Sequence, residues 1–390
     1  MRPRLGVIAY GPIQYHTPLY QRLAQRGNVE LDVLYLSDIG HRSTIDPEFG
    51  VPVAWDIDLL SGYTHKFMTS GGRSTSVARK AQKLVRWLPS HDAVVVNGYT
   101  SGWMLSAMAL CRARNIPYLL RASSHPRGLS TGARRCIRQV GTRLIVAASY
   151  GGLSMGHLNE EFYHQNHARR VVFAPNSVDD QRFACPPSLR RAELLARWGL
   201  KDDKPVVIYC GKLYPGKRPL DLVAAINLLP GEVNILFIGD GKLAEQIRAA
   251  LRPGSGVVTG FVNQSELPAY YHAADILVLP SEVEMWGLVI NEGMAAGALP
   301  VVSDRVGCAP DLVSGIGEVY PCGDVPRLAA ALARALVAVE DPETRRRMRE
   351  HAERYSLEHT AEGFEQAAFA VCGALQVPPA QSSRATASGA

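Results

Sequence analysis

Two glutamates, Glu284 and Glu292, stand eight positions apart in "EVEMWGLVINEG", with a Trp-Gly pair and an apolar run between them. The surrounding "DILVLPSEVEMWGLVINEGMAAGALPVV" reads as strand, loop, helix and strand, which puts Glu284 in the loop and Glu292 inside the helix. The helix is expected to begin near Trp286 or Gly287. A helix starting there presents the free backbone N–H groups of Gly287, Leu288 and Val289, a ready site for a phosphate, and glycine lets the anion approach the backbone. Glu284, just ahead of that terminus, can reach sugar hydroxyls beside the phosphate. Glu292, two turns along, can hold hydroxyls at the other end of the ligand, such as those of a ribose. One carboxylate on each side of a diphosphate suits a nucleotide-sugar; the plainer alternative is an acidic residue at a helix start and a second, solvated one.

A diphosphate calls for cations, and "YCGKLYPGKRPLDLV" supplies them: a strand ends at Cys210, Gly211 turns, and Lys212, Lys217 and Arg218 follow before the next helix. "FIGDGK" places Gly239 and Gly241 after a strand but lacks the third glycine of a dinucleotide fingerprint, so it reads as a tight turn lining the nucleotide side. "TGFV" follows the next strand, where Phe261 and Val262 either meet a base by stacking and backbone hydrogen bonds or form an ordinary turn with a core Phe. In the first half, "AYGPIQYHTPLYQRLAQRG" brings Gly11, Gln14, Tyr15 and His16 to the loop after the first strand, the acceptor side of a cleft. "LLRASSHPRG" does the same for Arg121, Ser123, Ser124 and His125. Asp56 and Asp58 in "FGVPVAWDIDLLSGY" have the spacing of a divalent-metal pair. They precede an apolar Leu-Leu in the half that lacks the nucleotide motifs, and no metal site is assigned.

These side chains need a scaffold of parallel strands covered by helices, and short apolar runs alternate with amphipathic stretches along nearly the whole chain. The expected fold class is α/β, with two Rossmann-like doubly wound domains facing a central cleft. Strands are expected at Leu5 to Ala9, Leu31 to Tyr35, Ala93 to Val96, Tyr118 to Leu120, Leu144 to Ala147 and Val171 to Phe173, and helices near 17–26, 102–114 and 131–140. The pattern restarts at "PVVIYCG" and continues through "NILFIGDG", "GVVTGF", "DILVLP", "LPVVSD" and "GEVY". The expected division is 1–190, 191–356 for the nucleotide-sugar domain, a helix over 357–376 crossing back to the first domain, and a disordered tail at 377–390, which is Pro, Ser and Ala with little to bury. Ligands of such sheets sit beyond the carboxyl ends of the strands.

At 390 residues, with 47% hydrophobic and 20% charged residues, the chain suits two globular domains and has no apolar run long enough for a spanning helix. The apolar run near its N-terminus is too short for a signal-peptide core, and a cytoplasmic location is expected. Seven cysteines lie scattered without a close pair, which indicates neither a disulfide framework nor a zinc knuckle. The net charge of +6 is uneven: from Ala93 to Asn159 there is no Asp or Glu, while eight arginines from Arg112 to Arg143 fall there. This is either a solvated face or a basic field suited to an anionic substrate or to peripheral contact with an acidic membrane. No nucleic-acid recognition motif accompanies the charge, and nucleic acid is not expected as a partner.

"EMWGLVINE" resembles the Glu-x7-Glu motif of retaining glycosyltransferases with the GT-B architecture, family four (glycosyl transferases group 1). "PNSVDDQRF", "GKLYPGK", "GDG" and "GCAPDLV" also resemble its motifs, most strongly from Pro175 to Val313. The resemblance implies that Lys212 and Lys217 hold the donor diphosphate, Glu292 the ribose and Glu284 the transferred sugar. Lys212 stands where the family often has Arg, a tolerable change for a point-charge contact. Cys308 departs from a common glycine pair. Family members commonly carry a His near the reacting face of the sugar, a role for which both Arg121 and His125 are candidates here. The implied chemistry is transfer of a hexose or N-acetylhexosamine from a nucleotide diphosphate, UDP before GDP, with retention, without metal or cofactor and without a protein nucleophile. The acceptor is a glycan, glycolipid or polysaccharide precursor, or a soluble natural product. The rival readings are a nucleotide-sugar epimerase of the same architecture and a noncatalytic sugar-binding protein.

Overall fold

The computed structural model describes residues 2–38, 44–45, 52–69, 76–125 and 133–373; the proposed tail at 377–390 lies outside them. The first sheet has the order β5-β2-β1-β6-β7-β8-β9, built from β1 (Arg4–Ala9), β2 (Glu30–Tyr35), β5 (Thr64–Phe67), β6 (Ala93–Asn97), β7 (Tyr118–Arg121), β8 (Gly151–Ser154) and β9 (Val171–Phe173). The second has the order β12-β11-β10-β13-β14-β15, from β10 (Val206–Cys210), β11 (Asn234–Ile238), β12 (Gly256–Gly260), β13 (Ile276–Leu279), β14 (Leu299–Ser303) and β15 (Glu318–Tyr320). A small antiparallel pair, β3 (Thr44–Ile45) and β4 (Pro52–Val53), stands apart. Neighbours in both large sheets are parallel, as continuous apolar strands buried on two faces require; "VVIYC" and "NILFI" are buried at every position.

Strand order reverses between β1 and β6 in one sheet and between β10 and β13 in the other. These two switch points carry the loops Tyr10 to His16 and Gly211 to Lys217, so the topology opens its crevices where the polar residues lie. The last helix, Leu357–Cys372, packs on the helix Thr17–Arg26 of the first half: Arg26 grips Glu365 at 2.7 Å, and Phe364, Ala367 and Ala368 enter the core under β1. Gly363 is required there, because a Cβ would stand 2.3 Å from the carbonyl oxygen of Phe173.

One expected strand is corrected. Leu144 to Ala147 belongs to the helix Ala133–Ala148, which runs eight residues past the expected end at 140. Leu144 is exposed while Val146 is buried, so the apolar run is one helical face plus a solvated residue. The strand that fills this place is β8, "GGLS", too poor in side chains to be read as one. Its glycines are dictated by neighbours: a Cβ on Gly152 would meet the Tyr163 ring at 2.5 Å, and one on Gly151 the Arg170 carbonyl oxygen at 2.9 Å.

Candidate functional site

The loops after β10, β11, β13 and β14 knit into one surface. Gly211 N–H donates to Ile238 O and Leu213 N–H to Asp240 O. Gly239 has φ of 132°, and a Cβ there would stand 2.0 Å from Gly211 O, so this turn admits glycine only. Gly241 approaches Leu213 in the same manner, with 2.5 Å from a built Cβ to Leu213 O. On the other side of the crevice, Glu282 N–H donates to Gly216 O, and Glu284 bridges to Val306 while its carbonyl accepts from Gly307 N–H. Gly307 is the glycine this loop needs, since a Cβ would lie 2.0 Å from Met285 O. Cys308 is fully buried, so its departure from a glycine pair is absorbed by the core.

The helix Leu288–Ala296 begins after Gly287, which caps it with φ of 98°. The N–H groups of Leu288 and Val289 precede the i to i−4 ladder and leave an anion-receptive terminus beside the lysine loop. Lys217 Nζ donates to Glu284 Oε2, with both side chains largely covered. The pair joins a candidate phosphate cation to a candidate sugar-binding acid. Lys212 lies half-buried in the same loop, whereas Arg218 turns away to Asp221 at 2.7 Å.

Glu292 is 1% exposed. Tyr271 Oη donates to its Oε2 at 2.7 Å, but Oε1 is buried without a hydrogen-bond partner among the described residues. Burial pushes this carboxyl up to about 7; the Tyr271 bond and the Arg182 charge oppose that rise without cancelling it. A buried acceptor with an unused lone pair is what a donating ligand hydroxyl would satisfy. Arg182 in turn donates to Gln264 O and Oε1 at 3.0 and 2.7 Å, linking Glu292 to the loop of Phe261 and Val262, both half-buried.

The first domain faces this surface closely. Gln14 is buried and hydrogen-bonded to Tyr15, and Tyr15 packs against the second core. Burial, then the charge of Glu292, holds the Tyr15 phenol well above its ordinary range, so this residue from the expected acceptor loop stands in the field of Glu292 and Glu284. Burial, helped by Arg121, pushes His16 down to about 4, leaving a neutral imidazole at neutral pH.

The two candidates after β7 separate. Arg121 is buried and spends its guanidinium on Ala174 O at 2.6 Å and Pro175 O at 3.1 Å, above the ring of Phe364. It ties the end of β7 to Ala174 and Pro175, with its charge felt by His16. His125 lines a small cavity with Ser124, Met285, Trp286 and Gly307, in a loop pinned by Asn159 Nδ2, which donates to Ala122 O and Ser124 O. The aspartates also separate: Asp56 accepts from Ser265 N–H at 3.0 Å, and Asp58 accepts from Leu60 and Ser61 N–H in its own turn.

Several contributors were not legible. Asn176, in "PNSVDDQRF", accepts at its carbonyl from Asn291, whose own oxygen takes the Trp286 indole N–H at 2.9 Å. Asp311 Oδ1 accepts from His157 N–H at 2.8 Å, capping the first-domain helix His157–Gln165 from the second domain. Both are contacts between segments more than a hundred residues apart, for which local pattern carries no signal.

Two glycine-rich turns, a lysine loop and a helix terminus flanked by glutamates, at the switch point of the second of two facing doubly wound sheets, define a GT-B architecture. Residues 190–355 match the family model of glycosyl transferases group 1. Over 188 residues the chain is 34% identical to the sulfoquinovosyl transferase SQD2 of Arabidopsis thaliana, covering 46% of this chain and 36% of that protein. It is 30% identical over 222 residues to a GDP-mannose-dependent alpha-(1-6)-phosphatidylinositol monomannoside mannosyltransferase of Mycobacterium tuberculosis, covering 53% and 56%. It is 32% identical over 193 residues to the alpha-D-kanosaminyltransferase of Streptomyces kanamyceticus, covering 47% and 49%. The chain thus spans about half the length, or less, of these curated relatives. Sucrose-phosphate synthase from Thermosynechococcus elongatus shares the fold over 96% of this chain and 100% of that one, with a TM-score of 0.72 and 20% identity. Among the described residues no helix is long and apolar enough to cross a membrane.

Proposed function

We propose that this chain is a retaining glycosyltransferase that moves a hexose or N-acetylhexosamine from a nucleotide diphosphate sugar to an acceptor hydroxyl. The carrying observation is the junction of Lys217 and Glu284 beside the Gly287 helix terminus, with the buried, half-satisfied Glu292 in that same helix. Lys217, Lys212 and the N–H groups of Leu288 and Val289 take the diphosphate, and their positive charge stabilises it as it departs, without a metal. Glu284 exchanges its lysine for hydroxyls of the transferred sugar, and Glu292 takes the ribose. The acceptor hydroxyl attacks from the face the diphosphate leaves, on the side of His125 and the Gln14–His16 loop. UDP is the first choice of nucleotide and GDP the second; one relative's name specifies GDP-mannose. The acceptor is a glycolipid or polysaccharide precursor, or a small natural product.

The test is thermal stabilisation by UDP, GDP, ADP and TDP, each with magnesium and with EDTA, followed by turnover of the corresponding sugar nucleotides with and without acceptor. A shift with one nucleotide that persists in EDTA supports the reading. Turnover without acceptor to an epimerised sugar nucleotide would move the assignment to an epimerase, and absence of any shift would leave a noncatalytic sugar-binding protein.

A further inference from the structure

The segment Ala54 to Asp58 of the first domain reaches across to the loop after β12, and nothing in the donor chemistry above uses it. Asn263 Nδ2 donates to Ala54 O at 2.7 Å, Asp56 N–H donates to Asn263 Oδ1 at 3.4 Å, and both oxygens of the Asp56 carboxylate accept from Ser265. Between these bonds Trp55 lays its indole against Phe261, ring centroids 6.1 Å apart and planes inclined at 51°. The carboxylate that resembled half of a metal pair is thus the fastener of a strap, and the strap carries the largest π surface a side chain offers.

We infer that Trp55 is one wall of the nucleobase site and that the Asp56 strap places it there. This rests on the reading of residues 190–355 as the donor domain. Its support is position. Phe261 follows directly on the strand end at Gly260, whose carbonyl accepts from Gly239 N–H, and Gln264 in the same loop is joined by Arg182 to the field of Glu292. A ribose held at Glu292 therefore directs its base toward Phe261. A base between two parallel rings needs them about 7 Å apart, twice the ~3.4 Å spacing of stacked bases. The present separation of 6.1 Å falls short by roughly 1 Å, which a turn of the indole toward parallel and a small shift of the strap supply. Stacking tolerates any base, so Trp55 contributes affinity for the nucleoside part whichever base is preferred.

The experiment is calorimetric titration of UDP, GDP and inorganic pyrophosphate into the wild-type chain and into Trp55→Ala, Trp55→Phe and Asp56→Ala, each checked for a wild-type circular dichroism spectrum and cooperative melting. Trp55→Ala is expected to weaken the preferred nucleotide about tenfold, the factor given by ~1.4 kcal/mol of stacking, and to leave pyrophosphate unchanged. Trp55→Phe should recover most of the loss, and Asp56→Ala should reproduce part of it. Equal nucleotide affinity in wild type and Trp55→Ala overturns the inference while leaving the donor site standing, as does an equal loss for pyrophosphate, which would mark a general closing contact. Absence of nucleotide binding to the wild type overturns the donor-site reading itself, and this inference with it.

Discussion

Replacing Glu292 by Gln keeps the shape of the side chain and removes its charge, so its effect on stability should depend on pH in a way a packing change would not. Burial raises this carboxyl from 4.5 to about 7 in the folded chain. At about 1.4 kcal/mol per tenfold change in proton affinity, that difference corresponds to about 3 kcal/mol. The sign follows from proton uptake. Below pH 4.5 the group is protonated in both folded and unfolded chains and exacts no penalty; between 4.5 and about 7 the folded chain binds more protons, so rising pH lowers wild-type stability; above about 7 the loss is complete. Glu292→Gln lacks this term. Its melting temperature should match wild type near pH 4.5 and exceed it by roughly 6–12 °C at pH 8, taking 2–4 °C per kcal/mol for a domain of this size. A saturating nucleoside diphosphate should narrow the gap at pH 8, because ribose hydroxyls supply the unpartnered Oε1 of the charged carboxylate with donors and so stabilise wild type more than the variant. The assay is differential scanning calorimetry of both proteins across pH 4.5 to 8.5, with and without nucleotide. Parallel melting curves for the two proteins over that range would refute the picture of a buried, half-satisfied acid.

Lys217→Ala removes the cation paired with Glu284 and should weaken nucleoside diphosphate binding by roughly ten- to hundredfold, as loss of a charge-assisted contact does, read by calorimetry at fixed salt. Gly156→Ala places a Cβ 2.4 Å from the Trp286 ring across the domain junction. It should lower stability by about 1–3 kcal/mol in urea unfolding and raise KM for the donor, because Trp286 anchors the helix that starts after Gly287. Unchanged unfolding would show that the junction relaxes without cost.

Much of the fold is legible because it is local. Strands such as "VVIYC" and "DILVLP" announce themselves by apolar runs bounded by turns, and their alternation with amphipathic stretches indicates parallel sheets covered by helices. The failure at Leu144 has the same origin: an apolar run is short of information about which neighbour will cover it, and only the packing of Tyr163 explains why "GGLS" is the strand. The placement of Lys212, Lys217, Glu284 and Glu292 was legible for a similar reason, since they lie within a few residues of strand ends and helix starts that local pattern locates.

What the sequence by itself determined is the set of short-range devices: two runs of parallel strands, glycines at 211, 239 and 287 in left-handed or forbidden turns, lysines after β10 and two acids around a helix terminus. Only the tertiary structure decided which of these meet across the cleft. It turned Arg121 into a buried tie to Ala174 and Pro175, set Tyr15 in the field of Glu292, and converted Asp56 into a strap on Ser265, 209 residues away in the chain. Such contacts arise from the closing of two cores on one another, and a side chain's neighbours there are chosen by three-dimensional packing rather than by periodicity along the chain.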